Sequence, residues 1–397
     1  MTSWKKIFAL GVLGVALNSV AQVNLRPEVA KALQAAQEAI QAQKPDEALN
    51  KIQDARALSG LAEPEKMLME RLAVVAAINA QKFDLAAKSL SYLLQSKELS
   101  PADRLTLSET MVSVSQRNKD HAAAVTWARR HKEFGGNSAR VDLMLLQSLS
   151  IQGLHQEVVQ EMNNRQKSDA ALGRTPDETT LRIYAISLKQ LKDDAGFVKV
   201  LTELTKRFPS KDYWSDLLNT LGRLPNFNQR YQLDVSRLMA ATEVLEDADD
   251  YTDMAVFAMK SGLPAEALRV LDKGHAAGVF AQGTAATNYA KLKQQALARA
   301  AEDDKAMKGI TLASNDATQL VQLADVLLSK GQASAAVEAY QKALGKGGLR
   351  REAEVRLHLG IALLQSQQKE AAKAQLNAVA GDEALVTLAG LWASLAR

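Results

Sequence analysis

A fixed spacing of small and bulky apolar residues is the feature that most constrains the fold of this chain. In the segment SGLPAEALRVLDKGHAAG, residues 261–278, Gly262 is followed by Ala267, Leu271 and Gly274 at intervals of five, nine and twelve. The last three share one side of an α-helix, because steps of three and four residues return to the same face. A second amphipathic pattern lies just upstream, and Gly262 follows it at a position that favours a helix end. The segment therefore predicts a hairpin of two helices, whose apolar faces need neighbouring hairpins to cover them.

The same spacing recurs along the chain, and its period indicates a repeat protein. The residue equivalent to Ala267 is found at eight positions, which are Ala48, Ala86, Ala124, Val158, Phe197, Ala267, Ala336 and Ala372. The gaps between these register residues are 38, 38, 34, 39, 70, 69 and 36. Because the two long gaps are each close to twice the short ones, we expect one degenerate hairpin near 232 and another near 302. The pattern predicts about ten hairpins.

The two best-preserved units, residues 251–274 and 320–343, resemble the tetratricopeptide repeat (TPR), whose period is about 34 residues. The resemblance covers roughly residues 27–380, although many units lack the Trp, Gly or terminal Pro of the family. It implies an all-α solenoid, a right-handed superhelix of about ten TPR-like repeats. It also implies a scaffold that binds a protein or peptide partner in a concave groove, which the first helices of the hairpins line.

The N-terminal residues predict a cleavable secretory signal peptide. Lys5 and Lys6 precede an apolar run at 7–17, and the small residues at 19–21 predict cleavage after Ala21. An apolar run of about eleven residues is too short to span a bilayer. We therefore expect a mature chain without a membrane span, in the periplasm or secreted.

The expected domain organisation follows from the repeat pattern and the signal. Residues 1–21 form the signal peptide and residues 22–397 form the solenoid. Within it we expect degenerate units near 212–245 and 284–308, and a C-terminal capping helix at 383–396.

Composition limits the classes of partner. The chain has no cysteine, so it forms no disulfide and carries no lipid-anchoring cysteine. Its 49 basic and 45 acidic side chains give a net charge of +4, which falls to +2 once the signal and its two lysines are removed. A chain so close to neutral does not favour nucleic acid as a partner.

No motif for catalysis or for metal or nucleotide binding is present. The five histidines, at 121, 131, 155, 275 and 358, do not have metal-ligand spacing, and HExxH, GxSxG and P-loop sequences are absent. The acidic stretch at 246–253 lacks the Gly and Glu of a calcium loop, and we interpret it as a helix cap. The sequence therefore predicts no enzyme, no metal site and no cofactor.

The first helices of three units supply the residues expected on the concave face. One unit should contribute Arg140, Leu143 and Gln147, and another should contribute Thr318, Val321 and Asp325. A third should contribute Leu357 and Ile361. The Lys and Asn clamp of family members that bind C-terminal carboxylates is not found in register here, so that class of ligand is not indicated.

Three other functions stay open, each with a structural sign. A small-molecule or polysaccharide-binding solenoid would present an exposed aromatic residue such as Trp214 beside carboxylates. A helical envelope hydrolase would bring two buried carboxylates together in a cleft. An oligomerising assembly protein would leave the apolar face of the last helix, at 385–395, exposed rather than packed on the solenoid.

Overall fold

The computed structural model describes residues 25–171 and 175–396, without the side chains of 167–171. The described residues form twenty α-helices and one 3-10 turn, and they contain no strand. The all-α class predicted from the sequence is therefore confirmed. The predicted signal peptide, residues 1–21, lies outside the described residues. The chain divides into two compact units between Leu191 and Lys192, whereas the repeat pattern alone predicts one continuous array.

Unit 1 contains nine helices, and its first eight form four successive hairpins. The helices are α1 (Pro27–Gln41), α2 (Pro45–Arg56), α3 (Glu63–Asn79), α4 (Phe83–Gln95), α5 (Pro101–Arg117), α6 (His121–Glu133), α7 (Ala139–Ile151), α8 (His155–Ala171) and α9 (Glu178–Gln190). Each second helix packs against the first helix of the following hairpin, and α7 also lies beside α5 and α9. The first helices α5, α7 and α9 are therefore neighbours in space.

Unit 2 contains the other eleven helices. They are α10 (Asp194–Arg207), α11 (Lys211–Leu221), α12 (Gln232–Ala241), α13 (Ala248–Lys260), α14 (Pro264–Ala276), α15 (Gly283–Ala306), α16 (Ala317–Ser329), α17 (Ala333–Lys346), α18 (Glu352–Gln365), α19 (Lys369–Asn377) and α20 (Glu383–Leu395). The 3-10 turn Gln229–Tyr231 leads directly into α12.

Eight turns between helices share one backbone conformation, which explains the spacing seen in the sequence. The middle residue of each three-residue turn has a positive φ; these residues are Gln43, Gln81, Lys119, Gly153, Lys192, Gly262, Gly331 and Gln367. In the seven of these turns that lie within one unit, the next residue donates its backbone N–H back to the helix, as Leu263 does to the Ala258 carbonyl at 2.9 Å. This is a helix C-terminus of the Schellman type. Each of these turn residues lies five positions before a register residue. The turns therefore set the spacing that the sequence shows.

The register residues lie in the core. Seven of the eight are fully buried, and the bulkier Phe197 is 4% exposed. Small side chains at these positions let helices approach closely, while residues such as Leu271 and Tyr340 fill the space beside them. The sequence pattern therefore marks contacts between helices rather than a site.

The two degenerate regions differ from each other. Near 232 the structure has two helices, α11 and α12, joined by a long connection that contains Pro225. Near 302 it has the single 24-residue helix α15 in place of the expected hairpin. Residues 290–301 contain only good helix formers, without the Gly or Asn that would favour a turn. The helix therefore continues through the position where a turn was expected.

The last helix closes unit 2 on itself. Leu385, Leu388, Leu391 and Trp392 on α20 are buried. α20 packs against α18 and α19, and it also contacts α10 and α12 near the start of the unit. Of its large apolar side chains, only Val386 counts among the exposed ones in the described residues. The face that an oligomerising protein would expose is therefore used inside the unit.

Candidate functional site

The first helices of unit 1 form a surface that solvent reaches at equivalent positions of three repeats. Arg140, Leu143 and Gln147 lie on one face of α7; Arg140 is exposed and the other two are half-buried. The spacing of the turn residues relates them to Thr106, Glu109 and Ser113 on α5 and to Thr179, Arg182 and Ile186 on α9. We call these nine residues the first-helix surface; eight of them are exposed or half-buried, and Ser113 is buried. The structure thus brings together all three residues predicted in this unit.

Contacts between α5 and α7 show that their faces adjoin. Arg140 Nη1 lies 3.7 Å from Glu109 Oε1. Gln116 Nε2 donates to the Met144 carbonyl at 2.9 Å and to Ser148 Oγ at 3.0 Å. The helices are therefore held side by side by polar contacts at the edge of the first-helix surface, and a ligand that crosses one helix would meet the next.

The first-helix surface is cationic and partly apolar. Partial burial lowers the pKa of the Arg140 guanidinium; Glu109 opposes this effect and the nearby Arg117 adds to it. Arg182 adds another exposed cation, whereas Glu109 is the acidic residue of the set. Ile186 is 48% exposed, which is unusual for a large aliphatic side chain. Such a surface suits a ligand that has both acidic and aliphatic groups.

In unit 2 the predicted groove is not open. Thr318 is exposed and Val321 and Asp325 are half-buried on α16, but Leu357 and Ile361 on α18 are fully buried. The prediction of exposed sites at Leu357 and Ile361 is therefore wrong. α18 packs against α17, α19 and α20, and seven of its fourteen residues are buried. The return of α20 covers helix faces that an open array would expose.

Unit 2 instead contains a network of charged side chains from five helices. Arg237 on α12 donates to both oxygens of Glu266 on α14, at 2.8 and 2.6 Å, and to Asp234 Oδ1 at 2.9 Å. His358 on α18 lies between two carboxylates, with Nε2 at 3.1 Å from Asp234 and Nδ1 at 3.2 Å from Asp325. The Tyr340 hydroxyl of α17 donates to Asp325 on α16.

The charges of this network stabilise one another. Burial disfavours the charged form of His358, but Asp234 and Asp325 outweigh burial and raise the pKa of His358 to about 10. For Asp234, burial is likewise outweighed by His358 and Arg237, so the pKa of this carboxyl lies below its usual range. Burial and the neighbouring Asp325 raise the pKa of Tyr340 well above its usual value. Each ionised group thus faces an opposite charge, and these attractions outweigh the approach of two cations, Arg237 Nη1 and His358 Nε2, to 3.4 Å.

The network brings carboxylates close together, as expected of a hydrolase. These carboxylates do not have the properties of a catalytic acid, however. Asp234 and Glu266 are 4% and 8% exposed and share Arg237 as a partner. A glycosidase acid needs a carboxyl group with a raised pKa in an accessible cleft. The pKa of Asp234 is lowered instead. This arrangement holds helices together and does not suggest proton transfer to a substrate.

Sequence reasoning missed the network because its members are far apart in the chain. His358 and Asp234 lie on different helices and are 124 positions apart in the sequence. Only the Asp234 and Arg237 pair, three residues apart on α12, has local spacing that favours an ion pair. Trp214, named above as a possible sugar-binding residue, is 5% exposed and belongs to the core.

Two further features concern the described part of the chain only. Residues 25–171 and 175–396 contain no group of three His, Asp or Glu side chains placed to hold a metal ion. None of their helices combines the length and the apolar character required to cross a bilayer.

Searches among known proteins find similar helical repeat structures. The TPR2AB domain of yeast Sti1, in a pHSP90 complex, is 15% identical with a TM-score of 0.34, over 68% of this chain and 98% of that chain. A tetratricopeptide repeat protein from Parabacteroides merdae is 10% identical with a TM-score of 0.35, over 85% of this chain and 100% of that one. The maize pentatricopeptide repeat protein PPR10 is 15% identical with a TM-score of 0.38, over 98% of this chain and 60% of that one. No known family profile matches the sequence, and no curated protein sequence matches it.

Proposed function

We propose that this protein is a non-catalytic binding scaffold that holds a segment of a partner protein on the first-helix surface of unit 1. The observation that carries the proposal is the accessibility of eight of the nine equivalent positions on α5, α7 and α9, which offers a partner one continuous surface across three repeats. Unit 2 contrasts with this, because its inner side chains are engaged with one another. Unit 1 is therefore the better candidate for partner binding.

The side chains of the surface define the chemistry of the partner segment. Arg140 and Arg182 favour carboxylates, with which guanidinium groups form directed hydrogen bonds. Leu143 and Ile186 favour aliphatic side chains, because covering Ile186 would remove exposed apolar area from water. We therefore expect a segment with alternating acidic and aliphatic residues.

The location is also part of the proposal. The features at residues 5–21 support export and cleavage after Ala21, with the scaffold acting in the periplasm or outside the cell. N-terminal sequencing of the protein recovered from cells tests this directly. A mature chain that begins at Gln22 would support export, and a chain that retains residues 1–21 in the cytoplasm would contradict it.

A pull-down from envelope extract tests the binding proposal. The bait is the purified chain, and bound proteins are identified by mass spectrometry. The double variant Arg140→Glu and Arg182→Glu reverses two charges on the first-helix surface. Because opposite charges across an interface become like charges, the partner should be lost or bind at least about tenfold more weakly.

A matched control separates this effect from a general change in charge. Lys291 on α15 is exposed and lies in unit 2, so Lys291→Glu alters the net charge without touching the first-helix surface. This variant should retain the partner. Equal capture of a reproducible partner by the wild type and the double variant would show that the partner binds elsewhere.

A further inference from the structure

A groove on unit 1, distinct from the first-helix surface, is lined by aromatic, carboxylate and amide side chains. It encloses about 590 Å³ between α4 and α6, and Met111 and Ser115 of α5 line it between those two helices. The lining residues of α4 are Asp84, Ala87, Lys88, Ser91, Tyr92 and Gln95. These positions repeat every three or four residues and so form one continuous helix face. At 1.5 Å per residue the groove follows α4 for about 16 Å, which suits a chain-like ligand.

Aromatic rings stand on both walls of this groove. Tyr92 on α4 is 36% exposed, and its hydroxyl donates to Glu63 Oε1 at 2.9 Å. Trp127 on α6 is half-buried, with the Arg130 guanidinium 4.7 Å from its ring centroid. These contacts hold the rings in place. The electron-rich faces of aromatic rings attract the weakly positive C–H groups that a sugar ring presents on its faces.

Carboxylate, amide and hydroxyl groups also line the groove. Asp84 Oδ1 accepts from Asn118 Nδ2 at 2.7 Å, and Asp120 Oδ1 accepts from the Ala123 backbone N–H at 2.9 Å. Each contact engages one oxygen of a carboxylate that has two, so acceptor capacity remains. Gln95 adds a donor and an acceptor at an exposed position. A ligand rich in hydroxyl groups can exchange hydrogen bonds with all of these side chains.

The charge of the groove argues against an acidic polymer. Lys88 is its single lining cation, against Asp84 and Asp120. Nucleic acids and anionic polymers need an excess of cations. The groove also offers few deep apolar pockets. Its inner residues Met111 and Ser115 are only 4% and 2% exposed, and its other apolar residues besides the two aromatic rings are alanines. Peptide anchors such as Leu or Phe bind where such pockets exist.

We propose that the groove between α4 and α6 binds a neutral oligosaccharide. Its ring faces stack on Tyr92 and Trp127, and its hydroxyl groups bond to Asp84, Gln95 and Asn118. This site goes beyond the partner-binding function proposed for the first-helix surface and does not depend on it.

An array of neutral oligosaccharides, built from hexoses and N-acetylhexosamines, tests the proposal with the purified full chain. Calorimetry then measures the affinity of each oligosaccharide that is bound. We expect binding to at least one series, and at least about tenfold weaker binding by Trp127→Leu and by Tyr92→Leu, since each loses a stacking surface. Gln95→Ala should weaken binding several-fold, and this exposed position carries little risk to folding.

Two controls make the outcomes decisive. Trp214→Phe changes a tryptophan buried in unit 2 and should leave saccharide affinity unchanged. The double variant Arg140→Glu and Arg182→Glu should also leave it unchanged, which separates this site from the first-helix surface. Absence of binding across the array would overturn the proposal. Wild-type saccharide affinity in both aromatic variants would also overturn it. So would a peptide partner whose binding is lost only in those two variants.

Discussion

His358 and Asp234 are 124 residues apart in the sequence, yet His358 Nε2 lies 3.1 Å from Asp234 Oδ1. This contact joins α18 to α12, and the contacts of α20 with α10 and α12 close the same unit nearby. In an open solenoid each repeat contacts only its neighbours, so the repeats can unfold one after another. The long-range contacts of unit 2 should instead make its helices unfold together.

Replacing Arg237 by Met tests the contribution of the network to stability. Met has a similar length but no charge, so Glu266 and Asp234 would stay buried without their shared cation. Removing one partner of a buried ion pair typically costs about 3–5 kcal/mol. Urea denaturation followed by circular dichroism should show a loss of this size in the free energy of unfolding.

Arg356→Met is the matched control for this prediction. Arg356 also pairs with a carboxylate, Glu352, at 2.6 Å, but their side chains are 30% and 48% exposed. Exposed pairs contribute about 0–1 kcal/mol. Similar losses for the two variants would mean that burial of the Arg237 network adds nothing to its strength.

The raised pKa of His358 predicts how the stability of unit 2 depends on pH. The pKa rises from 6.5 to about 10 in the folded chain, so the folded state keeps a proton that the unfolded state releases. The stability from this proton is fully present below about pH 6.5 and is lost as the pH rises through about 10. The lowered pKa of Asp234 has its effect at acid pH. Its contribution to stability is present above pH 3.8 and is lost as the pH falls below that value.

Comparison of the wild type with His358→Gln measures this effect. The difference in unfolding free energy should shrink between pH 7 and pH 10, by up to about 1.4 kcal/mol per pH unit for one proton. Urea denaturation at pH 6, 8 and 10 gives the three values needed. A difference that does not change over this range would contradict the assignment of a protonated His358 between two carboxylates.

Gly360 tests the requirement for small residues at helix contacts. A Cβ added there would lie 2.5 Å from the Leu376 side chain on the adjacent helix, so Gly360→Ala forces this side chain or its helix to shift. Helix propensity alone would favour Ala by about 1 kcal/mol, but overpacking costs about 1–3 kcal/mol. We expect a net loss of stability. Gly345→Ala on α17, where no atom lies within 4 Å of the added Cβ, should instead be neutral or stabilising.

Sequence reasoning places a residue correctly where its position depends on residues close to it in the chain. Ala267 follows Gly262 by five residues in the same way that Ala48 follows Gln43, because the turn and the next helix fix that distance. Arg140, Leu143 and Gln147 lie on one face of α7 because they are three and four residues apart, and their part in binding stays a prediction. Leu357 and Ile361 were misplaced because the helix that helps to cover α18 comes later in the chain and is held by contacts with α10 and α12.

The last prediction concerns the turns themselves. Gln81 and Gly153 occupy the same turn position, with φ of 58° and 73°. Glycine adopts this conformation freely, whereas other residues pay about 1 kcal/mol or more. Gly153→Ala should therefore destabilise unit 1 by about 1 kcal/mol, although the added Cβ meets no atom within 4 Å. Gln81→Gly should be stabilising by less than that, because the greater freedom of glycine in the unfolded chain offsets part of the gain.

Gln34→Gly is the matched control for the turn substitution. Gln34 is exposed in the middle of α1, where replacement by glycine costs about 1 kcal/mol of helix stability. The same chemical change should thus have opposite signs at positions 34 and 81, as measured by thermal and urea denaturation. If both glycine variants lose stability equally, the left-handed turn does not strain Gln81, and the shared turn conformation alone would not explain why glycine recurs at this position in the repeats.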